Sequence, residues 1–154
     1  MRPCRPAALP LALSLCAALL APSSAAAADL GRADILLSTS SILQIGEANI
    51  ARSSQVGEGH RAMVQQTGNG HFADIRQAGQ GNSIDLAQSG LANTLLALQS
   101  GNHNQMVVSQ LGGASANLSQ TGSNNRISLS QAAGQHMAYI SQSGNGNTAS
   151  ISQR

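Results

Sequence analysis

Four histidines are the side chains of this sequence best suited to chemistry, because imidazole binds metal ions and exchanges protons near neutral pH. His60 and His71 stand eleven residues apart, and His103 and His136 lie farther along the chain. A zinc site needs further cysteine or clustered acidic ligands at close spacing, and none accompany these histidines. We therefore predict no metal and no cofactor. We interpret His60, His71 and His136 as turn-stabilising residues and place His103 in a solvated turn.

Serine hydroxyls are abundant, but no Gly-x-Ser-x-Gly segment is present to hold one of them as a nucleophile. Gly-Asn-Gly runs such as 68–70 and 144–146 contain the residues of phosphate-binding loops. Such loops lead into a helix, and none is predicted after these runs. With no acid pair or triad to assign, we predict no enzyme and no small-molecule substrate. An enzyme on a repeat scaffold stays open only in principle.

Residues 1–28 are expected to be a secretory signal peptide. Two arginines precede an apolar run over 9–20 that is short for a membrane span, and small residues before position 29 offer a cleavage site. Both cysteines lie in this leader, so residues 29–154 can form no disulfide. The leader also accounts for the net charge of +2, because six arginines balance six acidic residues after it. The charge therefore gives no reason to expect a nucleic-acid partner.

Glutamine recurs along residues 44–153 at an interval of eleven residues, with one interval of ten. A glycine follows most of these glutamines by two residues, and an asparagine or a histidine follows most of them by five. Repetition at one period is typical of repeat architectures, in which each unit stacks on its neighbours. We predict a stacking ladder of glutamines and asparagines, with the glycines in turns. The glutamines are Gln44, Gln55, Gln66, Gln77, Gln88, Gln99, Gln110, Gln120, Gln131, Gln142 and Gln153; the asparagines are Asn49, Asn82, Asn93, Asn104, Asn125 and Asn147; the glycines are Gly46, Gly57, Gly68, Gly79, Gly90, Gly101, Gly112, Gly122 and Gly144.

Apolar residues alternate with mostly polar ones between each asparagine position and the next glutamine, as at Ile84 and Leu86. Alternation with period two, bounded by Gly and Asn, indicates a half-buried β-strand. An amphipathic helix would instead need apolar spacings of three and four. The chain is therefore predicted to be all-β, with about eleven short strands from 38–44 to 147–153.

Two strand-turn units make a rung of 22 residues, and stacked rungs form a two-sheet, cross-β type β-solenoid over residues 38–154. Equivalent positions then stack, and the side-chain amides are expected to bond one another along the stack. On the outer face, Arg52 is expected beside Asp74 as a favourable pair. The ten-residue interval should shorten the turn at Gly112, which leaves Leu118 pointing inward.

These residues resemble the curlin family, the subunits of bacterial curli amyloid fibres. The family motif Ser-x5-Gln-x-Gly-x2-Asn-x5-Gln is present as Ser38, Gln44, Gly46, Asn49 and Gln55. Later units keep the glutamines and most of the glycines and asparagines, so the resemblance covers residues 38–154. The departures are histidine in three asparagine positions, alanine in place of one glycine, and one short turn.

The resemblance implies a structural subunit of an extracellular, cell-surface fibre that assembles with itself and with other curlins by strand templating. The segment 136–144 and the final Gln153-Arg154 are similar to the minor subunit, which nucleates the major fibre subunit. The resemblance also implies passage through the periplasm and the outer-membrane curli secretion pore, with residues 29–37 as the targeting segment. The alternatives are the major fibre subunit and a secreted β-solenoid adhesin outside the curli system.

Overall fold

A computed structural model describes residues 38–154 as eleven β-strands joined by short turns. The predicted leader at 1–28 and the targeting segment at 29–37 lie outside the described residues. The strands are β1 (Thr39–Ile45), β2 (Ile50–Glu58), β3 (Arg61–Asn69), β4 (Phe72–Gln80), β5 (Ser83–Leu91), β6 (Thr94–Asn102), β7 (Gln105–Leu111), β8 (Ser115–Ser123), β9 (Arg126–Gln131), β10 (Met137–Asn145) and β11 (Thr148–Gln153).

The strands coil into two parallel sheets. The odd-numbered strands form a six-stranded sheet, here called sheet A, and the even-numbered strands form a five-stranded sheet, called sheet B. Each strand pairs in parallel with the next strand but one, and most paired residues are 22 positions apart. The prediction of an all-β, two-sheet solenoid with 22-residue rungs is confirmed. Along residues 38–154, no helix is long and apolar enough to cross a membrane.

The core lies between the two sheets and is built from the alternating apolar positions. Ile75 and Leu95 of sheet B and Ile84 of sheet A are completely buried, and each is flanked along its strand by residues that face outward. Sixteen buried apolar residues form one continuous cluster. At either end of the stack, residues such as Ile42 and Ile151 are only partly buried, because a rung covers them on one side only. Burial of this core therefore depends on stacking.

The single ten-residue interval changes a turn and leaves the strands in phase. Across it, Ala97 pairs with Leu118 and Gln99 pairs with Gln120, which are 21 positions apart, and the inward residues stay inward. The shortened turn uses Gly112 and Gly113, both at φ near +70°, a region in which glycine has no Cβ penalty. The predicted position of Leu118 is confirmed.

Most strands extend three residues beyond the predicted end at the glutamine. Gly57, for example, lies inside β2 at φ +112° and pairs with Gly79 of β4. A Cβ at Gly57 would overlap the carbonyl oxygen of Gly79, so only glycine allows the two rungs to approach at this point. At the equivalent position Ala133 replaces glycine, and there β9 ends at Gln131.

Arg52 and Asp74 on the outer face have the predicted register, but their side chains contact other residues. Arg52 does pair with Asp74 across strands β2 and β4. The Asp74 carboxylate instead binds Arg76 of its own strand at 3.1 Å, and the Arg52 guanidinium lies 5.9 Å from the ring centre of Phe72. The Arg52–Asp74 ion pair was therefore a wrong prediction, because nearer groups compete for both side chains.

Two glycine substitutions compare a position in contact with the next rung and a position open to solvent. Gly79→Ala adds a Cβ that overlaps the carbonyl of Gly101, whereas Gly70→Ala, also at positive φ, meets no atom within 4 Å. We expect Gly70→Ala to cost about 1 kcal/mol through its backbone conformation. Gly79→Ala should cost about 3–4 kcal/mol, because φ +111° is less accessible to alanine than φ +71° and because the Cβ overpacks the contact. The guanidinium concentration that dissolves the folded stack measures the difference. Equal shifts would contradict the proposed role of the close glycine contact.

Candidate functional site

The recurring glutamines form two columns, one along each sheet, that are completely buried in the middle of the stack. In every neighbouring pair, the Nε2 amide of one glutamine donates to the Oε1 of the glutamine in the next rung. The sheet A column runs through Gln44, Gln66, Gln88, Gln110, Gln131 and Gln153, with N···O distances of 2.7–3.0 Å. The sheet B column runs through Gln55, Gln77, Gln99, Gln120 and Gln142, with each distance 2.9 Å.

A second hydrogen bond fixes the orientation of most of these amides. The Nε2 of Gln66 also donates to the backbone carbonyl of Ile50, sixteen residues earlier in the opposite sheet, at 3.2 Å. A carbonyl oxygen can only accept, so the side-chain nitrogen must face it and the amide cannot be reversed. Seven other glutamines make the same contact. These bonds tie sheet A to sheet B at the strand ends.

The bonds between glutamine side chains all point one way, from each rung to the rung that follows it in sequence. At the first rung, Oε1 of Gln44 and Gln55 accepts no amide from the described residues. At the last rungs, the amides of Gln142 and Gln153 accept from the preceding glutamines and have no further glutamine to donate to. One end of the described stack thus presents acceptors, and the other presents donors.

The asparagines bond to backbone groups rather than to one another, which differs from the expected amide-to-amide pairing. Nδ2 of Asn104 donates to the carbonyls of Ser100 and Gly122, and its Oδ1 accepts the backbone N–H of Asn125 at 3.1 Å. Each asparagine therefore closes its own turn and holds the next rung. Corresponding bonds are made by Asn49, Asn82, Asn93 and Asn125. Within the described residues, the side chain of Asn147 makes only the bond within its own turn, to the carbonyl of Ser143.

His60 and His71 reproduce the asparagine contacts with an imidazole ring. Nε2 of His71 lies 3.1 Å from the carbonyl of Thr67, and its Nδ1 lies 3.2 Å from the backbone N–H of Asn93. His60 has the same two contacts, and both rings are fully buried. Since a carbonyl only accepts and a backbone N–H only donates, these contacts match the tautomer in which Nε2 donates and Nδ1 accepts.

Two positions interrupt the asparagine columns. The backbone N–H of Ala114 donates to Oδ1 of Asn93, but the methyl side chain of Ala114 cannot form a hydrogen bond with the next rung. In that rung, Nε2 of His136 is buried without a hydrogen-bond partner, next to the irregular turn that contains Ala133. The sequence signals for this weak corner were the ten-residue interval and the missing glycine.

The part of the chain that the structure describes contains no cluster of metal ligands. No group of three or more His, Cys, Asp or Glu side chains is arranged there to hold an ion. His103 is exposed in a turn at φ +54°, as its interpretation as a solvated turn residue required. The organised features of the described residues are the hydrogen-bonded columns, whose geometry suits another strand of matching register.

Sequence profiles of the curlin associated repeat match residues 46–79, 61–90 and 122–154, which together make up half of the chain. The chain belongs to the curlin family. Curlins are structural proteins, and membership makes this chain a subunit of curli amyloid fibres that assembles with other curlins in an extracellular fibre. No curated protein and no solved structure gives a significant match to the curlin described here.

Adjacent glutamines on β3 provide a test of the column. Gln66→Leu removes the partner of the Gln44 amide, of Gln88 Oε1 and of the Ile50 carbonyl, and each buried loss costs about 1–3 kcal/mol. We expect the concentration of curlin left soluble at equilibrium to rise about 100-fold, the equivalent of about 3 kcal/mol. Gln65→Leu, whose side chain points outward, should change it less than about threefold. Similar effects of both would exclude a stabilising column.

Substitutions of His71 test whether its ring serves as an asparagine equivalent. Asparagine can close the same turn and accept the same N–H, so we expect His71→Asn to leave fibre stability within about 0.5 kcal/mol. His71→Leu leaves the Thr67 carbonyl and the Asn93 N–H unpaired, which should cost about 2 kcal/mol or more. Guanidinium dissolution of assembled fibres measures both. Greater damage from Asn than from Leu would contradict this interpretation.

Proposed function

We propose that this curlin is the minor subunit that nucleates curli polymerisation at the cell surface by strand templating. The observation that carries templating is the one-way direction of the glutamine columns, which leaves donors at one end of the described stack and acceptors at the other. Two such ends are complementary only when the last rung of one molecule meets the first rung of another. An end-to-end contact between like ends would oppose donors to donors or acceptors to acceptors.

The edge strands support the same proposal. Proteins usually protect an exposed strand edge with charges, proline or a covering segment. The strand β11 (Thr148–Gln153) contains no charged residue and no proline, and its Ala149 and Ile151 face the core. An incoming strand would gain a backbone ladder, a glutamine contact and apolar cover in a single step, as in other cases of strand addition.

The segment 136–144, which resembles the nucleator, also carries an unusual surface. Met137 and Tyr139 of β10 are 78% and 75% exposed, the highest values among the large apolar side chains that the structure describes. Exposed apolar groups commonly mark interaction sites. A subunit held at the cell surface has a use for such a site.

The proposed route to the surface involves the residues that precede the solenoid. Residues 1–28 would direct the chain to the periplasm and be removed, and residues 29–37 would address it to the outer-membrane curli secretion pore. The solenoid at 38–154 would then contact the major fibre subunit outside the cell. This arrangement follows the family resemblance of the sequence.

A seeding experiment separates the nucleator from the major subunit. Substoichiometric seeds of this curlin are added to a major curlin that lacks its own nucleator, and thioflavin fluorescence follows the lag. We expect a shorter lag, and fibres with a reflection near 4.8 Å. Seeds carrying Gln142→Leu and Gln153→Leu, which lack the terminal donors, should shorten the lag less than seeds carrying Gln65→Leu.

The opposite results identify the alternatives. If the lag is unchanged and this chain forms the bulk fibre by itself, it is the major subunit. A soluble helical monomer with no 4.8 Å reflection would exclude both fibre roles.

A further inference from the structure

The number of strands determines how two copies of this chain can meet. Both β1 and β11 belong to sheet A, so the eleven described strands place six in one sheet and five in the other. Among the described strands, β1 and β2 form the acceptor end of the stack, and β10 and β11 form the donor end. Sheet A therefore extends one strand farther than sheet B.

The two sheets carry the same pattern of hydrogen-bonding groups. Successive strands repeat the eleven-residue pattern on opposite sides of the core, and most glutamines of each sheet make the same two hydrogen bonds. Gln55 of sheet B and Gln66 of sheet A each donate to the next glutamine and to a carbonyl sixteen residues earlier. A half-turn about the stack axis, with a rise of half a rung, thus places sheet A positions on sheet B positions.

We propose that, where copies of this chain assemble end to end, each copy is rotated by half a turn relative to the copy before it. The β1 strand of the added copy then pairs with β10, and its β2 pairs with β11. Gln142 donates to Gln44 of the added copy, and Gln153 donates to Gln55. This inference rests on the end-to-end assembly proposed above, and it specifies the partner surface as a second copy in one orientation.

Stacking without rotation would leave a defect at every junction. The β1 strand of the added copy would lie on β11, and its β2 would lie two rung spacings from β10 in sheet B, or about 9.6 Å. The edge of β10 and the donor of Gln142 would find no partner, and the core beside Ile140 would lack one strand. Rotation fills that position with β1, whose Ile42 then covers Ile140 and whose Gln44 accepts from Gln142.

The two arrangements differ in their repeat. With rotation, each copy advances five and a half rungs, about 26 Å, and the structure repeats after two copies, about 53 Å. Without rotation, each copy occupies six rungs, about 29 Å, and every copy has the same orientation. The rotated fibre therefore shows sheet A and sheet B alternately on each of its two faces.

Disulfide trapping distinguishes the arrangements, because residues 29–154 contain no cysteine. Outward residues of paired strands lie about 4.8 Å apart, within the Cα separation that a disulfide allows. In a full-length chain carrying Cys4→Ala and Cys16→Ala, rotation predicts cross-links between Leu43→Cys and Ser141→Cys of successive copies. Direct stacking instead predicts cross-links between Leu43→Cys and Ser152→Cys. All three positions are exposed, and within one molecule neither pair lies on neighbouring strands.

The expected result is a series of covalent multimers from oxidised 43/141 fibres in denaturing gels, and monomers from 43/152 fibres. Multimers from the 43/152 pair, from both pairs equally, or from neither pair in well-formed fibres would overturn the rotation while end-to-end growth itself stays intact. Failure of the unsubstituted chain to form fibres or to seed them would instead overturn the proposed function. Electron cryomicroscopy gives a second reading, with a rise per copy near 26 Å and a half-turn expected.

Discussion

A buried glutamine amide needs hydrogen-bond partners, and meeting that need in the next rung is the constraint on which the rest of this solenoid depends. Gln66 and Gln77 are almost completely removed from solvent, where an unpaired amide is strongly unfavourable. Each finds its partner only if rungs stack in register, one glutamine above another. That register in turn brings glycine carbonyls so close that no Cβ fits between the rungs. Apolar burial accompanies this arrangement but does not by itself select the register.

The parts of the structure that repeat along the chain could be predicted from the sequence. Strand type, sheet number and rung length all follow from the spacing of glutamine and the alternation of residues such as Ile84 and Leu86. Even the irregular unit was predictable, since a strand that slipped by one residue would have turned Leu118 outward. Stacked glutamines follow from the same register. In a periodic sequence, the stacking of equivalent residues can be predicted even when the conformation of the turns is not known.

Contacts that depend on the shape of the turns could not be predicted. The bond from Gln66 to Ile50 joins opposite sheets across sixteen residues, and no pattern in the sequence marks that distance. The asparagine side chains bond to backbone groups because the turn places carbonyls and N–H groups within hydrogen-bonding distance of them. The choice of Arg76 over Arg52 by Asp74 likewise reflects competition among neighbours. Contacts of this kind can be assigned only when the three-dimensional positions of the side chains are known.

The one-way glutamine columns have an electrical consequence. Backbone dipoles largely cancel within β-sheets, whereas the side-chain amides of this stack all place their nitrogen toward the later rung. Their moments add along the axis, as peptide moments add along a helix. In a fibre that continues the same direction, the total moment grows with length. Such a fibre is an electrically oriented rod, and an applied field can distinguish one of its ends from the other.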